Sequence, residues 1–206
     1  MLPSTHVHHF TPGTNGSRAS AVLLHGSGGS EVDLLPLASD LVPEASKLAI
    51  RGTVRTDGGY AFFMRFPDSR VDEADVATRA PGLASFIEAA GARYGRDRPP
   101  ITIGYSNGAI MAAALLLTDP GLLAAAVLFR PLSPFTDDLL HRLDGTPVLI
   151  VDGANDDRRR PGDGLRLAER LARAGARVTH HVLPVGHAHT AEDSHIARQW
   201  LGAIAG

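Results

Sequence analysis

The sequence predicts an α/β fold in which helices cover both faces of a mostly parallel sheet. Short β-branched runs alternate with longer helical patterns along most of the chain, as in sheets whose parallel strands are joined by helices. A length of 206 residues fits one domain, residues 1–206, with one extensive core. The chain shows no internal repeat and no linker, so a second domain is not expected.

The first strands are predicted on either side of a turn-rich segment. Residues 7–10 and Ser20–Leu24 have strand patterns, and the proline, glycine and asparagine residues between them are typical of a hairpin. The two strands are therefore expected to pair with each other. A glycine-rich loop follows at residues 25–29, then a helix at 31–41 and a strand at 47–51.

The next segment, residues 51–67, contains a cluster of aromatic side chains: Tyr60, Phe62, Phe63 and Phe66. Connections longer than about 12 residues in a compact domain usually carry function, so this cluster is predicted to be substrate-binding, as the apolar wall of a pocket. The alternative is that all four are ordinary core residues, because large apolar side chains are most often buried.

The rest of the chain alternates helix and strand. A long helix is predicted over residues 71–94, with an interruption at Pro81 and Gly82 because proline lacks the N–H that a helix interior needs. The strands at 124–129 and 147–151 are joined by only 17 residues, which leaves no room for a separate cap domain. The last elements are a helix at 164–174, the strand Arg177–Leu183 and the helix Ala191–Ala205.

The clearest chemical signal lies at residues 101–111. A β-branched run stops at a Gly-x-Ser-x-Gly motif, Gly104 to Gly108, and an alanine- and leucine-rich helical run begins at once. Such a strand–turn–helix junction holds the serine hydroxyl above the edge of the sheet, and the two glycines remove side chains that would collide there. Ser106 is therefore the candidate nucleophile.

A serine nucleophile needs a base, and the loops at the carboxyl ends of parallel strands are where ligands bind. Among the ten histidines, His187 follows a glycine in the loop after the last strand, which makes it the best-placed base. His189 is the second choice. An imidazole here can take the proton of Ser106 and return it to the leaving group.

Three carboxylates could orient that histidine: Asp152, Asp156 and Asp157. All three follow the strand at 147–151, so the chain order is nucleophile, acid, histidine, as in hydrolases with a Ser–His–acid triad. Asp152 is still at the strand end, and a loop position reaches a histidine more easily.

Composition excludes several other classes. A net charge of −2 gives no reason to expect nucleic acid or an acidic membrane surface as a partner. No run approaches the roughly 20 apolar residues of a membrane helix, and the N-terminus lacks the features of a secretory signal. The absence of cysteine excludes disulfides and thiolate metal sites and fits a cytoplasmic protein.

These motifs together resemble the phospholipase/carboxylesterase family of α/β-hydrolases, and most closely its hydroquinone-associated, MhqD-like hydrolases. The resemblance runs nearly end to end, over residues 24–29, 33–38, 51–52, 104–109, 153–156, 186–187 and 190. It implies a single-domain α/β-hydrolase in which Asp156 is the acid and His187 the base. It also implies that the backbone amides of Ser27 and Asn107 form the oxyanion hole.

The chain departs from this family at His189 and at a basic run, Arg158 to Arg160. Runs of like charge are usually solvated, so the three arginines are interpreted as an exposed charge cluster. The departure leaves open which ester is the substrate.

The sequence thus predicts a serine carboxylesterase that hydrolyses small acyl or aryl esters through an acyl-enzyme, without a metal or an organic cofactor. The same residues could serve a thioesterase or a lysophospholipase, because a fold does not determine a substrate. A ligand-binding protein that kept the hydrolase scaffold without turnover is the alternative of another class. A second alternative is a nucleotide-binding domain, although the loop at residues 25–29 lacks the Gly-x-Gly-x-x-Gly spacing of dinucleotide-binding loops. A homodimer is left open.

Overall fold

The structure is a computed structural model that describes residues 6–14, 16–68, 70–137 and 142–205. In chain order its elements are β1 (His8–Thr11), β2 (Ser20–Leu24), α1 (Leu35–Leu41), β3 (Ser46–Ile50), β4 (Val54–Thr56), β5 (Gly59–Ala61), α2 (Glu73–Arg93), β6 (Ile101–Tyr105), α3 (Asn107–Thr118), β7 (Ala125–Phe129), β8 (Pro147–Gly153), α4 (Asp163–Arg173), β9 (Arg177–Leu183) and α5 (Ala191–Ala205).

The described strands form a central sheet in the order β1-β3-β2-β6-β7-β8-β9, beside a small β4–β5 pair. Every neighbouring pair of the central sheet is parallel except β1 with β3. The predicted mostly parallel sheet is therefore confirmed. The strands β2, β6, β7 and β8 lie inside the sheet, and the loops after their carboxyl ends meet along one edge.

The predicted hairpin between the first two strands is wrong. The strand β3 lies between them, so that Ile50 pairs with His8 on one side and with Leu24 on the other. The burial of the two strands explains the order. Four of the five residues of β2 are buried, which suits a strand with parallel neighbours on both sides, whereas no residue of β1 is fully buried and it takes the edge.

The helix α2 runs uninterrupted from Glu73 to Arg93, so the predicted interruption at Pro81 is also wrong. Its buried positions continue on both sides of the proline, from Val76 and Ala80 to Leu83 and Phe86. This continuous apolar face compensates for the roughly 3 kcal/mol that a proline costs inside a helix.

Two apolar layers cover the two faces of the sheet. Val22 and Leu24 belong to the layer beneath α2, α3 and α4, whereas Ala21 and Leu23 belong to the layer beneath α1 and α5. Alternate residues of a strand point to opposite faces, so one strand contributes to both layers. Among the described helices, none combines the length and the apolarity that crossing a bilayer requires.

Candidate active site

The junction between β6 and α3 holds Ser106 in a strained backbone conformation. Its φ is 52° and its ψ is −107°, in a region that residues other than glycine rarely adopt. Both motif glycines are sterically required. A Cβ on Gly104 would lie 2.7 Å from the Cα of Ala109, and one on Gly108 would overlap the carbonyl of Leu24. The serine is thereby placed at the carboxyl edge of the sheet, as predicted.

Three predicted residues, Ser106, His187 and Asp156, form a continuous hydrogen-bond chain. His187 Nε2 lies 3.0 Å from Ser106 Oγ, and His187 Nδ1 lies 2.7 Å from Asp156 Oδ2. With the proton on Nδ1 donated to Asp156, Nε2 is free to accept the serine proton. The Asp156 side chain is only 1% exposed and that of His187 9% exposed, so both lie away from bulk water.

The structure separates the three candidate acids. Asp156 Oδ1 also accepts a hydrogen bond from the Arg158 amide at 2.9 Å, which fixes the carboxylate in its turn. Asp152 instead pairs with His180, with 2.7 Å between Asp152 Oδ2 and His180 Nε2. Asp157 is exposed and lines the cleft described below. Only Asp156 is thus in contact with His187.

Burial lowers the pKa of His187 below its usual value of about 6.5, although the hydrogen bond that His187 donates to Asp156 opposes the change. The charges of Arg159 and Arg158 lower it further. The imidazole is consequently neutral at neutral pH, which is the form a general base requires. His189, the second choice, packs edge-on against Phe129 and does not join the hydrogen-bond chain.

The loop at residues 25–29 lies beside the nucleophile, and Ser27 lines the same cleft as Ser106. Two hydrogen bonds, from the Gly28 amide to Tyr60 O and from the Tyr60 amide to Gly29 O, hold the loop in place. Asn107 is the first residue of α3, and the first four N–H groups of a helix have no acceptor within it. One of the two predicted oxyanion-hole residues thus lines the same cleft as Ser106, and the other directly follows Ser106 in the chain.

Buried His25 and the Asn107 side chain brace this region. The Gly52 amide donates to His25 Nε2, so the ring proton lies on Nδ1 and is donated to Gly26 O at 2.7 Å. Burial lowers the pKa of His25, which keeps it neutral. The Asn107 side-chain amide accepts a hydrogen bond from Phe62 N and donates one to Phe63 O.

The predicted aromatic wall requires a correction. Phe62 and Phe63 are 2% and 1% exposed and belong to the core layer beneath α2 and α3, as the alternative interpretation held. Tyr60 is half-buried under the Arg51 guanidinium, and Phe66 is 42% exposed. None of the four lines the cleft at Ser106. Large apolar side chains are most often buried, and the segment of Phe62 and Phe63 is held against α3 by the Asn107 side chain.

A cleft of about 950 Å³ opens in front of Ser106, and its walls are polar. Its apolar lining comes from Val71 and from the connection after β7, at Leu132 and Phe135. Sequence reasoning did not single out these residues, because an irregular segment has no periodicity to read. Among the described residues, no group of three or more His, Cys, Asp or Glu is arranged to hold a metal ion.

The basic run is not simply a solvated cluster. Arg158 and Arg160 are exposed, but Arg159 turns inward and its Nη2 donates to Ser106 Oγ at 3.1 Å. Burial, followed by the charge of Arg65, lowers the pKa of Arg159 from its usual value to about 10. Arg159 therefore stays charged at neutral pH beside the nucleophile.

A second arginine, Arg130, holds the histidine loop and was not singled out from the sequence. It is fully buried, pairs with buried Asp193 and donates to the carbonyls of Gly186 and Ala188 on both sides of His187. The one local signal was the Thr190-x-x-Asp193 spacing at the start of α5, which is typical of a capped helix.

A strained serine between a parallel strand and a helix, with its histidine and acid in later loops, defines an α/β-hydrolase. Over 181 residues the chain is 35% identical to the hydrolase MhqD of Bacillus subtilis (strain 168), covering 87% of this chain and 90% of that protein. The chain therefore belongs to the MhqD-like hydrolases.

Two solved structures are similar to it along nearly their whole length. A carboxylesterase from Bacillus cereus is 37% identical, with a TM-score of 0.93 over 97% of this chain and 95% of that one. A carboxylesterase from Mesorhizobium loti is 32% identical, with a TM-score of 0.91 over 98% of both chains. No family model matches the chain.

Proposed function

We propose that this protein is a serine carboxylesterase that cleaves small esters through an acyl-enzyme. The observation that carries the proposal is the hydrogen-bond chain from Ser106 through His187 to Asp156. A serine hydroxyl is a weak nucleophile unless a neighbouring base takes its proton, and this arrangement supplies one in the required tautomer.

In the first half-reaction Ser106 Oγ attacks the ester carbonyl carbon while its proton passes to His187 Nε2. The tetrahedral intermediate collapses as the carbon–oxygen bond to the alcohol breaks, and His187 returns the proton to the leaving oxygen. A water molecule then attacks the acyl-enzyme in the same way, giving the carboxylic acid and free Ser106. Asp156 stabilises the imidazolium that forms in each half.

The negative charge that develops on the carbonyl oxygen must be stabilised by hydrogen-bond donors. The amides of Ser27 and Asn107 are the proposed pair, because Ser27 lines the cleft and the Asn107 amide lies at the first turn of α3. A donor of this kind contributes roughly 3 to 4 kcal/mol to the transition state. The names of the two carboxylesterases similar to this chain agree with an ester as substrate.

The test is labelling with a fluorophosphonate together with a burst of p-nitrophenol from p-nitrophenyl acetate. The wild-type protein should be labelled once, and Ser106→Ala should lose both the label and the burst. Ser133→Ala is the matched control, because Ser133 lines the same cleft without contacting His187. A protein without label or burst would be a ligand-binding hydrolase-fold protein, and faster turnover of matched thioesters would make it a thioesterase.

A further inference from the structure

The cleft in front of Ser106 is unusually positive for this chain. Its described lining residues include eight arginines against five aspartates and glutamates, whereas the formal net charge of the whole chain is −2. Positive charge concentrated in a cleft attracts anions and raises their local concentration. The lining therefore bears on which esters the site accepts.

Arg159 is the arginine of this cleft that reaches the nucleophile. Besides Ser106 Oγ, its N–H groups donate to the main-chain carbonyls of Arg130, Pro131 and Arg158. All of these acceptors are neutral, and Arg159 takes part in none of the ion pairs found among the described residues. A largely buried guanidinium usually has an anionic partner.

The charge of a second arginine, Arg65, acts on Arg159 from the same cleft. Its repulsion adds to burial in lowering the pKa of Arg159, and burial also lowers the pKa of Arg65 itself. Asp163 attracts both arginines, and its carboxylate also accepts hydrogen bonds from Arg160 N and Arg166. Two partly buried like charges repel each other, and a bound anion would relieve that repulsion.

The two partners of Ser106 Oγ show on which part of an ester such an anion belongs. His187 must protonate the leaving oxygen, so the alcohol part lies on the His187 side. Arg159 and His187 each contact Ser106 Oγ. In the acyl-enzyme the acyl part is bonded to this Oγ until water releases it. Arg159 is thus within reach of the acyl part during both half-reactions.

We propose that the substrate is an ester whose acyl part carries a carboxylate a few bonds from the scissile carbonyl, and that Arg159 and Arg65 bind this carboxylate. The inference rests on the proposed esterase function. A guanidinium binds a carboxylate through parallel charge-assisted hydrogen bonds, which are stronger than those to its present neutral acceptors. The cleft volume of about 950 Å³ suits a small molecule of this kind.

The test compares monoethyl succinate with ethyl 4-methylpentanoate, in which an uncharged isopropyl group of similar shape replaces the carboxylate. The wild-type kcat/KM for monoethyl succinate should exceed that for the neutral ester by about tenfold or more. Arg159→Met should reduce this ratio by about tenfold. Arg93→Met is the matched control, because Arg93 is exposed at the end of α2 and does not line the cleft, and it should keep the wild-type ratio.

A wild-type ratio of one or less would overturn the proposal. A preference for 4-carboxyphenyl acetate over phenyl acetate, without one for monoethyl succinate, would overturn the placement on the acyl part. If Arg159→Met does not fold, Arg65→Met makes the same comparison and should also lower the ratio.

Calorimetric titration of the Ser106→Ala protein separates this proposal from the esterase proposal, because binding does not require turnover. Monoethyl succinate should bind with at least about tenfold lower Kd than ethyl 4-methylpentanoate. Selective binding without wild-type turnover of either ester would overturn the esterase function and leave the anion site supported. Equal turnover of both esters without selective binding would overturn the anion site and leave the esterase function supported.

Discussion

Arg130 and Asp193 form a doubly hydrogen-bonded ion pair that is fully buried between the sheet and the start of α5. The Nη1–Oδ1 and Nη2–Oδ2 distances are 2.7 and 2.9 Å, and both side chains are 0% exposed. The remaining N–H groups of Arg130 donate to Val151 O and to the loop on both sides of His187. The pair therefore positions the candidate base without touching it.

Arg130→Met is expected to lower the free energy of unfolding by about 3 to 5 kcal/mol, because it leaves the Asp193 carboxylate buried without its partner. Urea denaturation measures the change. Replacing both residues, as in Arg130→Met with Asp193→Leu, should cost less than the sum of the two single changes. Arg198→Met is the control, since its pair with Asp40 is about half exposed and should contribute less than about 1 kcal/mol. Equal losses for Arg130→Met and Arg198→Met would contradict this account.

The pH dependence of turnover should report the lowered pKa of His187. Because the base acts in its neutral form, kcat/KM for p-nitrophenyl acetate should rise with pH through a midpoint below 6.5. Arg159 and Arg158 contribute to lowering that pKa, so removing either charge should raise the pKa and move the midpoint to higher pH. Arg93→Met should leave it in place. A midpoint that moves to lower pH in Arg159→Met would contradict the assignment of His187.

Asp156→Asn should reduce kcat by about ten-thousandfold, because an amide no longer selects the imidazole tautomer that can accept the serine proton. Asp157→Asn is a matched neighbour that is exposed and lacks this contact, so its kcat should change little. Asp152→Asn should affect stability through His180 and leave kcat near the wild-type value. If Asp157→Asn instead caused the large loss of kcat, Asp157 and not Asp156 would be the residue that orients His187.

The burial of Phe63 predicts a stability effect where the aromatic-wall interpretation predicts a change in substrate preference. Phe63→Ala should cost about 3 to 5 kcal/mol in urea denaturation, because it removes contacts from the core and leaves a cavity. Phe66→Ala, at a side chain 42% exposed, should cost less than about 1 kcal/mol. A Phe63→Ala protein that is folded, stable and altered in ester preference would support the interpretation of Phe63 as part of the pocket wall.

The mostly parallel sheet and the proximity of the serine, the histidine and one acid could be predicted, because both depend on local patterns. The bounds of β2, β9 and α5 match those read from the sequence, and the structure brings Ser106, Asp156 and His187 together. Strand pairing depends instead on competition for burial among distant segments. That competition placed β3 between β1 and β2 and kept α2 intact through Pro81.

The roles of two arginines could not be read from the sequence for the same reason. Three consecutive arginines indicate a solvated surface, and only the turn in which the Arg159 amide donates to Asp156 O directs one side chain inward. Arg130 finds its partner 63 residues further along the chain. No local spacing encodes such a contact.

The lining of the cleft predicts how turnover depends on acyl length. A buried methylene contributes roughly 0.8 kcal/mol, or about fourfold in kcat/KM, only while it contacts apolar surface. The described apolar lining is limited to Val71, Leu132 and Phe135, so the gain along a series of p-nitrophenyl esters should stop at short chains. Phe135→Ala should move the optimum to still shorter chains, whereas Phe66→Ala, outside the cleft, should not move it. A kcat/KM still rising at the dodecanoate, or a jump in rate at the solubility limit of the ester, would reveal a deep acyl channel and contradict this account of the cleft.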